Sequence, residues 1–250
     1  MLYIGERVGS LNGPEVDVAV DPLEGTEIVA KGLNNALSVI AIAPKGHLLH
    51  APDMYMEKLA VGPELVGKLS LTDPMETTLD KAAQALGKKV SDLTVMILDR
   101  TRHETLVKTL RKVGVRIKFL SDGDVAGAMA PAFPEAGIDL YVGSGGAPEG
   151  VLAAAALRCL GGELQGRLMP ADASEYNRCL QMGIADPYKL LTMEDMVGDG
   201  DVIFAATGVT PGEFLGGVRY FPDQRAETHS IVMRAKTRTI RFIRSLHYLP

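Results

Sequence analysis

Two acids and a threonine set around a proline turn, Asp21-Pro22-Leu23-Glu24-Gly25-Thr26, are the sharpest chemical signal in the sequence. Asp21 and Glu24 supply hard oxygen donors three residues apart, the ligand type that Mg2+ and Mn2+ select. Gly25 permits close backbone approach, and Thr26 offers a hydroxyl that could orient a water beside such an ion. The segment follows the alternating run VDVAV, which places the acids at the carboxyl end of a strand, where α/β active sites gather. An ordinary turn, with Asp21 capping and Glu24 in solvent, is the bland alternative for any Asp-Pro pair. The density of specified residues at a strand end favours the metal.

A second signal is Gly143-Ser144-Gly145-Gly146-Ala147-Pro148-Glu149-Gly150, which leaves an apolar strand and opens a helix. Glycines at a helix N-terminus can hold an anion with backbone N–H groups and the helix dipole. Glu149 is an awkward neighbour for a phosphate unless a cation lies between them, which makes Glu149 a candidate third metal ligand. A plain glycine-rich strand-to-helix turn is the alternative. The spacing is not that of a dinucleotide fingerprint.

The third signal is a pair of clusters after two strands. Arg100, Thr101, Arg102 and His103 follow LTVMIL; Ser121, Asp122, Gly123 and Asp124 follow VRIKFL. Guanidinium groups clamp phosphate, and carboxylates accept from hydroxyls, so the two together suit a sugar phosphate. Taken singly, each of these residues is as well explained by helix capping or by a solvated arginine. Tyr55 could stack on or hydrogen-bond a ligand, while Met54 and Met56 beside it read as core fillers. His47 and His50 lack partners at zinc-ligand spacing. Cys159 falls on an alanine-rich helix as a small buried residue. Arg234, Lys236 and Arg238 alternate at strand period and read as a solvated strand face.

These candidates need elements to hold them. The first ninety residues read as β-rich, with strands over Val16–Asp21 and Leu37–Ala43 and a further strand opening at Leu2. Asp73 to Leu86 reads as a helix with Asp73 as N-cap, Pro74 at the first helical position and Gly87 as the stop. From Leu93 strand and helix alternate, the pattern of a parallel α/β layer. The composition shift near residue 91 divides the chain into 1–91, an N-terminal metal-binding part, and 92–250, an α/β substrate-binding part. The fold class read from this order is a layered α/β sandwich.

Composition sets the outer bounds. In 250 residues, 46% are hydrophobic and 23% charged, enough to bury a sizeable core. A net charge of −5 argues against a nucleic-acid binder held by bulk charge. Two cysteines cannot make a disulfide framework, which points to a reducing, cytoplasmic setting. MLYIGERVG lacks a signal peptide's apolar core, and no apolar run approaches the ~20 residues that span a bilayer, so no membrane role is expected.

AVDPLEGT, HAPDMYMEK, the DGD of Asp122 to Asp124, VGSGGAPEG and the tail SLHYL occur in order along the chain. Together they resemble the bacterial class II fructose-1,6-bisphosphatases, glycerol-regulon-type enzymes of the lithium-sensitive phosphatase superfamily. The resemblance runs from Met1 to about Leu249. It implies a sugar-phosphatase fold of two α/β subdomains, a divalent metal (Mn2+ or Mg2+) and hydrolysis of the 1-phosphate of a small sugar bisphosphate. It further implies Asp21, Glu24 and Glu149 as metal ligands and Thr26 as the residue that helps activate water. Substrate contacts are implied for Glu24, Gly25, Thr26, Tyr55, Arg100, Thr101, Arg102, Asp122, Gly123, Asp124 and Gly146. The family carries an upstream segment with further acidic ligands, so this chain is expected to bind metal weakly by itself. Sedoheptulose 1,7-bisphosphate is the nearest alternative substrate, and a non-catalytic phosphosugar-binding protein a more distant reading. A homo-oligomer, dimer or tetramer, is compatible with all of them.

Overall fold

Alternating apolar residues build two sheets, and an alanine-rich helix lets them approach. The computed structural model describes residues 5–10 and 12–249. Its first part holds β1 (Val16–Glu24), α1 (Thr26–Ala30), β2 (Leu37–Pro44), β3 (Tyr55–Val61) and α2 (Met75–Leu86). Then come β4 (Thr94–Leu98), α3 (Glu104–Val113), β5 (Arg116–Leu120), α4 (Asp124–Met129), β6 (Leu140–Gly146) and α5 (Ala147–Leu160). The last part holds β7 (Glu163–Leu168), α6 (Ala173–Gln181), α7 (Met193–Val197), β8 (Ile203–Gly208), β9 (Arg219–Phe221), β10 (Arg225–Arg234) and β11 (Thr239–Tyr248).

One sheet is antiparallel in the order β1-β2-β8-β10-β11, with β9 against β10. The other runs β5-β4-β6-β3-β7; β4 is parallel to β5 and β6, while β3 is antiparallel to β6 and β7. The parallel layer expected from residue 93 onward is therefore present, edged by antiparallel strands. Strands from both sides of residue 91 share each sheet.

Helix α5 is buried on almost every side, Ala153 to Ala156 included. A helix apolar all round belongs inside, and small side chains allow a sheet on each face. Val39, Phe204 and Ile231 of one sheet and Met56 and Met96 of the other join it in a single core. Successive strand residues point to opposite faces. Val95 and Ile97 accordingly turn away from α5 and pack with Leu79 of α2 and Leu110 of α3. The result is a layered α/β sandwich.

Two local expectations need correction. Helix α2 begins at Met75, with Pro74 as a N-cap of extended ψ that makes no side-chain cap. The Asp73 carboxylate goes instead to the Lys81 ammonium, 2.7 Å away. The basic alternation from Arg234 is not one strand face: β10 ends at Arg234, residues 235–238 form the hairpin turn, and Arg238 has φ +47°. The strand expected from Leu2 falls outside the described residues. Among those residues no helix is long and apolar enough to cross a membrane.

Candidate active site

Strand β1 runs through the acidic turn and does not stop before it. Asp21 pairs with Val39 and Glu24 with Leu37, so β1 carries one extra residue, a bulge, between them. Pro22 has no N–H for the ladder and β1 is an edge strand, which is where a proline and a bulge are tolerated. The bulge turns Glu24 inward, leaving it 3% exposed. Asp21 stays half-buried and accepts the Leu23 N–H at 3.0 Å, closing the turn on itself. Gly25 follows as the N-cap of α1, and Thr26 opens that helix with its side chain exposed.

Glu24 reaches across to the loop after β5. Its Oε1 accepts the Val125 N–H of α4 at 3.0 Å. Its Oε2 is buried without a hydrogen-bond partner. Burial, reinforced by the charges of Asp124, Asp21 and Asp122, pushes the Glu24 carboxyl up to about 8. Gly123 has φ +92°, and a Cβ there would stand 3.4 Å from Glu24 Oε2. The left-handed backbone and this contact both call for glycine.

Asp124 is buried at the start of α4. One of its oxygens accepts from the Lys58 ammonium and the other from the Tyr141 hydroxyl. Lys58, with no exposed side-chain surface, also donates to the Gly146 carbonyl at 2.7 Å. Burial and the adjacent Asp124 charge hold the Tyr141 hydroxyl well above its usual titration range.

The β6–α5 turn completes this wall. A Cβ on Gly145 would lie 2.0 Å from Asp124 Oδ2, and one on Gly146 would lie 1.9 Å from Glu149 Oε2. The glycines thus make room for two carboxylates. Glu149 folds back over the N-cap Gly146, where its own backbone N–H contacts the carboxylate. Burial and the charges of Asp124 and Asp21 raise its pKa despite that N–H and the nearby Lys58. Glu149 Oε2 is likewise buried and unpartnered.

A cationic side faces these acids. Arg100 donates to Asp122 at 3.0 Å and to the Ser121 carbonyl. Arg102 donates to the Ser144 carbonyl through Nε (3.2 Å) and Nη2 (2.7 Å), and its guanidinium lies over the Tyr55 ring. Thr101 sits between them in the single turn Thr101–His103 and is exposed. Buried His103 accepts the Ser144 N–H on Nε2 at 2.8 Å; its Nδ1 therefore carries the proton and donates to the Leu98 carbonyl at 2.8 Å. Burial holds the His103 imidazole below its ordinary value, with the Arg102 charge acting in the same direction.

Among the described residues no three His, Cys, Asp or Glu side chains are gathered as ready metal ligands. Two buried carboxylate oxygens, on Glu24 and Glu149, nonetheless lack any partner. Buried charge is retained where it is paired or coordinates a metal, and hard divalent cations take carboxylate oxygen. That donor chemistry fits Mg2+ or Mn2+, with Glu24 and Glu149 as holders and Asp21 close enough to influence the charge state of both.

Three segments far apart in sequence (residues 21–26, 122–124 and 143–150) are thereby brought together, with Arg102 and Tyr55 joined at the Ser144 side. Lys58 and Tyr141 are not among the residues singled out from the sequence, and His103 and Ser144 stand there inside wider clusters with no role of their own. The available signal for Lys58 was its period: it shares a strand face with Met56 and Ala60, and a lysine on an apolar face needs a buried partner.

Residues 1–247 match the family described as bacterial fructose-1,6-bisphosphatase, glpX-encoded. The chain is 45% identical over 262 residues to a class 2 fructose-1,6-bisphosphatase of Haemophilus influenzae, covering 100% of this chain and 78% of that protein. It is 44% identical to fructose-1,6-bisphosphatase 1 class 2 of Escherichia coli K12, with 100% and 77% covered. A D-fructose 1,6-bisphosphatase class 2/sedoheptulose 1,7-bisphosphatase of a Synechococcus strain is 43% identical, with 99% and 78% covered.

Proposed function

Since this chain belongs to the bacterial glpX-encoded fructose-1,6-bisphosphatase family, we propose that it hydrolyses the 1-phosphate of fructose 1,6-bisphosphate to fructose 6-phosphate and inorganic phosphate. The observation that carries the reading is that two buried carboxyls with unpartnered oxygens both lie within the influence of Asp21 and Asp124, on segments that also carry the contacts of Arg100 and Arg102. Carboxylates alone would repel a sugar bisphosphate. Acids able to hold cations, set opposite guanidinium groups, suit it.

In this reading Glu24, Glu149 and Asp21 hold divalent cations, Mn2+ or Mg2+. Such ions, when bound, withdraw charge from a phosphoryl group and lower the pKa of a water. The Thr26 hydroxyl, exposed at the start of α1, orients the attacking water. The water oxygen forms the new bond to phosphorus as the bond from phosphorus to the C1 oxygen breaks; one of the water's protons ends on the C1 oxygen, giving the sugar hydroxyl, and the other stays with the released phosphate. Arg100 and Arg102 grip phosphate, which suits the planar guanidinium fork. Tyr55 and the Asp122-Gly123-Asp124 loop position the sugar, and Gly146 lets phosphate approach the backbone. Aligning the reacting groups in this way is a large part of what a phosphatase site contributes.

Glu149→Gln tests the assignment. Expected are a folded protein, loss of most phosphate release and a weaker response to limiting Mn2+; normal turnover at limiting Mn2+ would reduce Glu149 to a helix-entrance residue. Sedoheptulose 1,7-bisphosphate is a second candidate substrate, favoured by the dual naming of the Synechococcus relative, and relative kcat/KM on the two bisphosphates decides between them. Both cysteines are buried and unpaired, which suits a cytoplasmic setting.

A further inference from the structure

We propose that Lys58 is a positioning residue for this reaction, tying the sugar-side loop to the phosphate-side turn. The inference rests on the phosphatase reading above. Lys58 lies on β3, behind the site, with no exposed side-chain surface. Its ammonium donates to Asp124, in the loop after β5, and to the carbonyl of Gly146, the N-cap of α5. Those segments carry, respectively, the Asp122-Gly123-Asp124 triplet and Glu149. Among the described residues, Lys58 is a side chain hydrogen-bonded to both.

Two observations and one general physical rule give the ammonium a defined place. Its stem is walled in: a Cβ on Gly150 would stand 3.1 Å from Lys58 Cε and 2.7 Å from Met56 Sδ. The second oxygen of Asp124 is taken by the Tyr141 hydroxyl, so both oxygens are spent inside the protein. Asp124 therefore acts on the sugar through the loop it anchors. Finally, a buried ion pair is a poor way to gain stability, since apolar residues of similar volume do as well or better. What the pair achieves that an apolar pair cannot is a fixed relation between two loops.

The consequence is kinetic. Arg100, Arg102 and Tyr55 bind substrate without Lys58, so affinity survives its loss. Alignment of the reacting phosphate with the sugar does not, and misplacement by about 1 Å costs on the order of 100-fold in rate. For Lys58→Met, kcat on fructose 1,6-bisphosphate should fall about 100-fold, with KM and the Kd of fructose 6-phosphate by calorimetry within about 3-fold of wild type. Tyr141→Phe removes the other bond to Asp124 without removing charge, and should lower kcat about 10-fold with the same unchanged KM. If Lys58→Met fails to fold, Tyr141→Phe carries the test. A kcat within about 3-fold of wild type in the folded variants overturns the proposal, as does a KM that rises while kcat holds. A wild-type chain that releases no phosphate overturns the functional reading and this inference with it.

Discussion

Arg102 stands over the ring of Tyr55, its guanidinium carbon 4.5 Å from the ring centre, while the same guanidinium donates twice to the Ser144 carbonyl. The stack holds a cation at the rim of the site with its remaining donors free to meet an anion. Tyr55 is 52% exposed, so the pair faces incoming substrate.

Arg102→Lys keeps the charge but loses the planar fork and much of the stacking. If Arg102 grips phosphate, KM for the bisphosphate should rise about 10-fold, roughly 1.4 kcal/mol, with kcat falling less. An unchanged KM would move Arg102 to the solvated surface.

Glu24→Gln removes a carboxyl whose ionisation burial opposes, pushing it up to about 8, and of which one oxygen is unpartnered. Without metal the variant should be more stable than wild type, by a few degrees in Tm if the change is about 1 kcal/mol. The stabilisation that wild type gains from Mn2+ should disappear. Scanning calorimetry with and without Mn2+ checks both; a variant that still gains Tm with Mn2+ would exclude Glu24 as a holder.

His103 supplies a pH dependence with a definite sign. Its folded pKa is depressed below the ordinary 6.5, because burial disfavours the imidazolium and the Arg102 charge acts in the same direction. A depressed pKa contributes stability that is present above pH 6.5 and lost as pH falls through the folded value. On acidification below about pH 6.5 this contribution lowers Tm, against the opposite contributions of Glu24 and Glu149, whose raised pKa values favour the folded state at lower pH, so a His103 variant is needed to isolate it. His103→Gln, whose amide can both donate and accept, should show a shallower acid decline; equal slopes in the two proteins would remove His103 as the cause.

Gly145→Ala places a methyl against the Asp124 carboxylate, which Lys58 and Tyr141 hold in place. The acid cannot swing away cheaply. A soluble protein with kcat reduced about 100-fold is expected, and steady-state kinetics would show it. Turnover within about 3-fold of wild type would mean that the loop yields without consequence for alignment.

The chemistry-bearing segments were legible in the sequence because each combines donor type, glycine and the end of an apolar run. Asp21-Pro22-Leu23-Glu24-Gly25-Thr26, the Asp122-Gly123-Asp124 triplet and Gly143 to Gly150 all stood out, as did most strands and the α2, α3 and α5 helices. Local period and stop residues such as Gly87 and Gly114 are short-range properties, so the linear order contains them. The bulge in β1 was not legible, since it exists only against the register of β2. Nor was the partnering of residues 66 and 88 positions apart that makes Lys58 the link between Asp124 and Gly146. A lysine is read from sequence as solvated because isolated burial of its charge is so costly. Only the packing of α4 and α5 against the sheet that holds β3 and β6 supplies the carboxylate, the carbonyl and the space beside Gly150 that together reverse that expectation. Likewise the charge state of Glu24 depends on exclusion of water and on Asp122 and Asp124, 98 and 100 residues away, which the tertiary structure alone brings to its side.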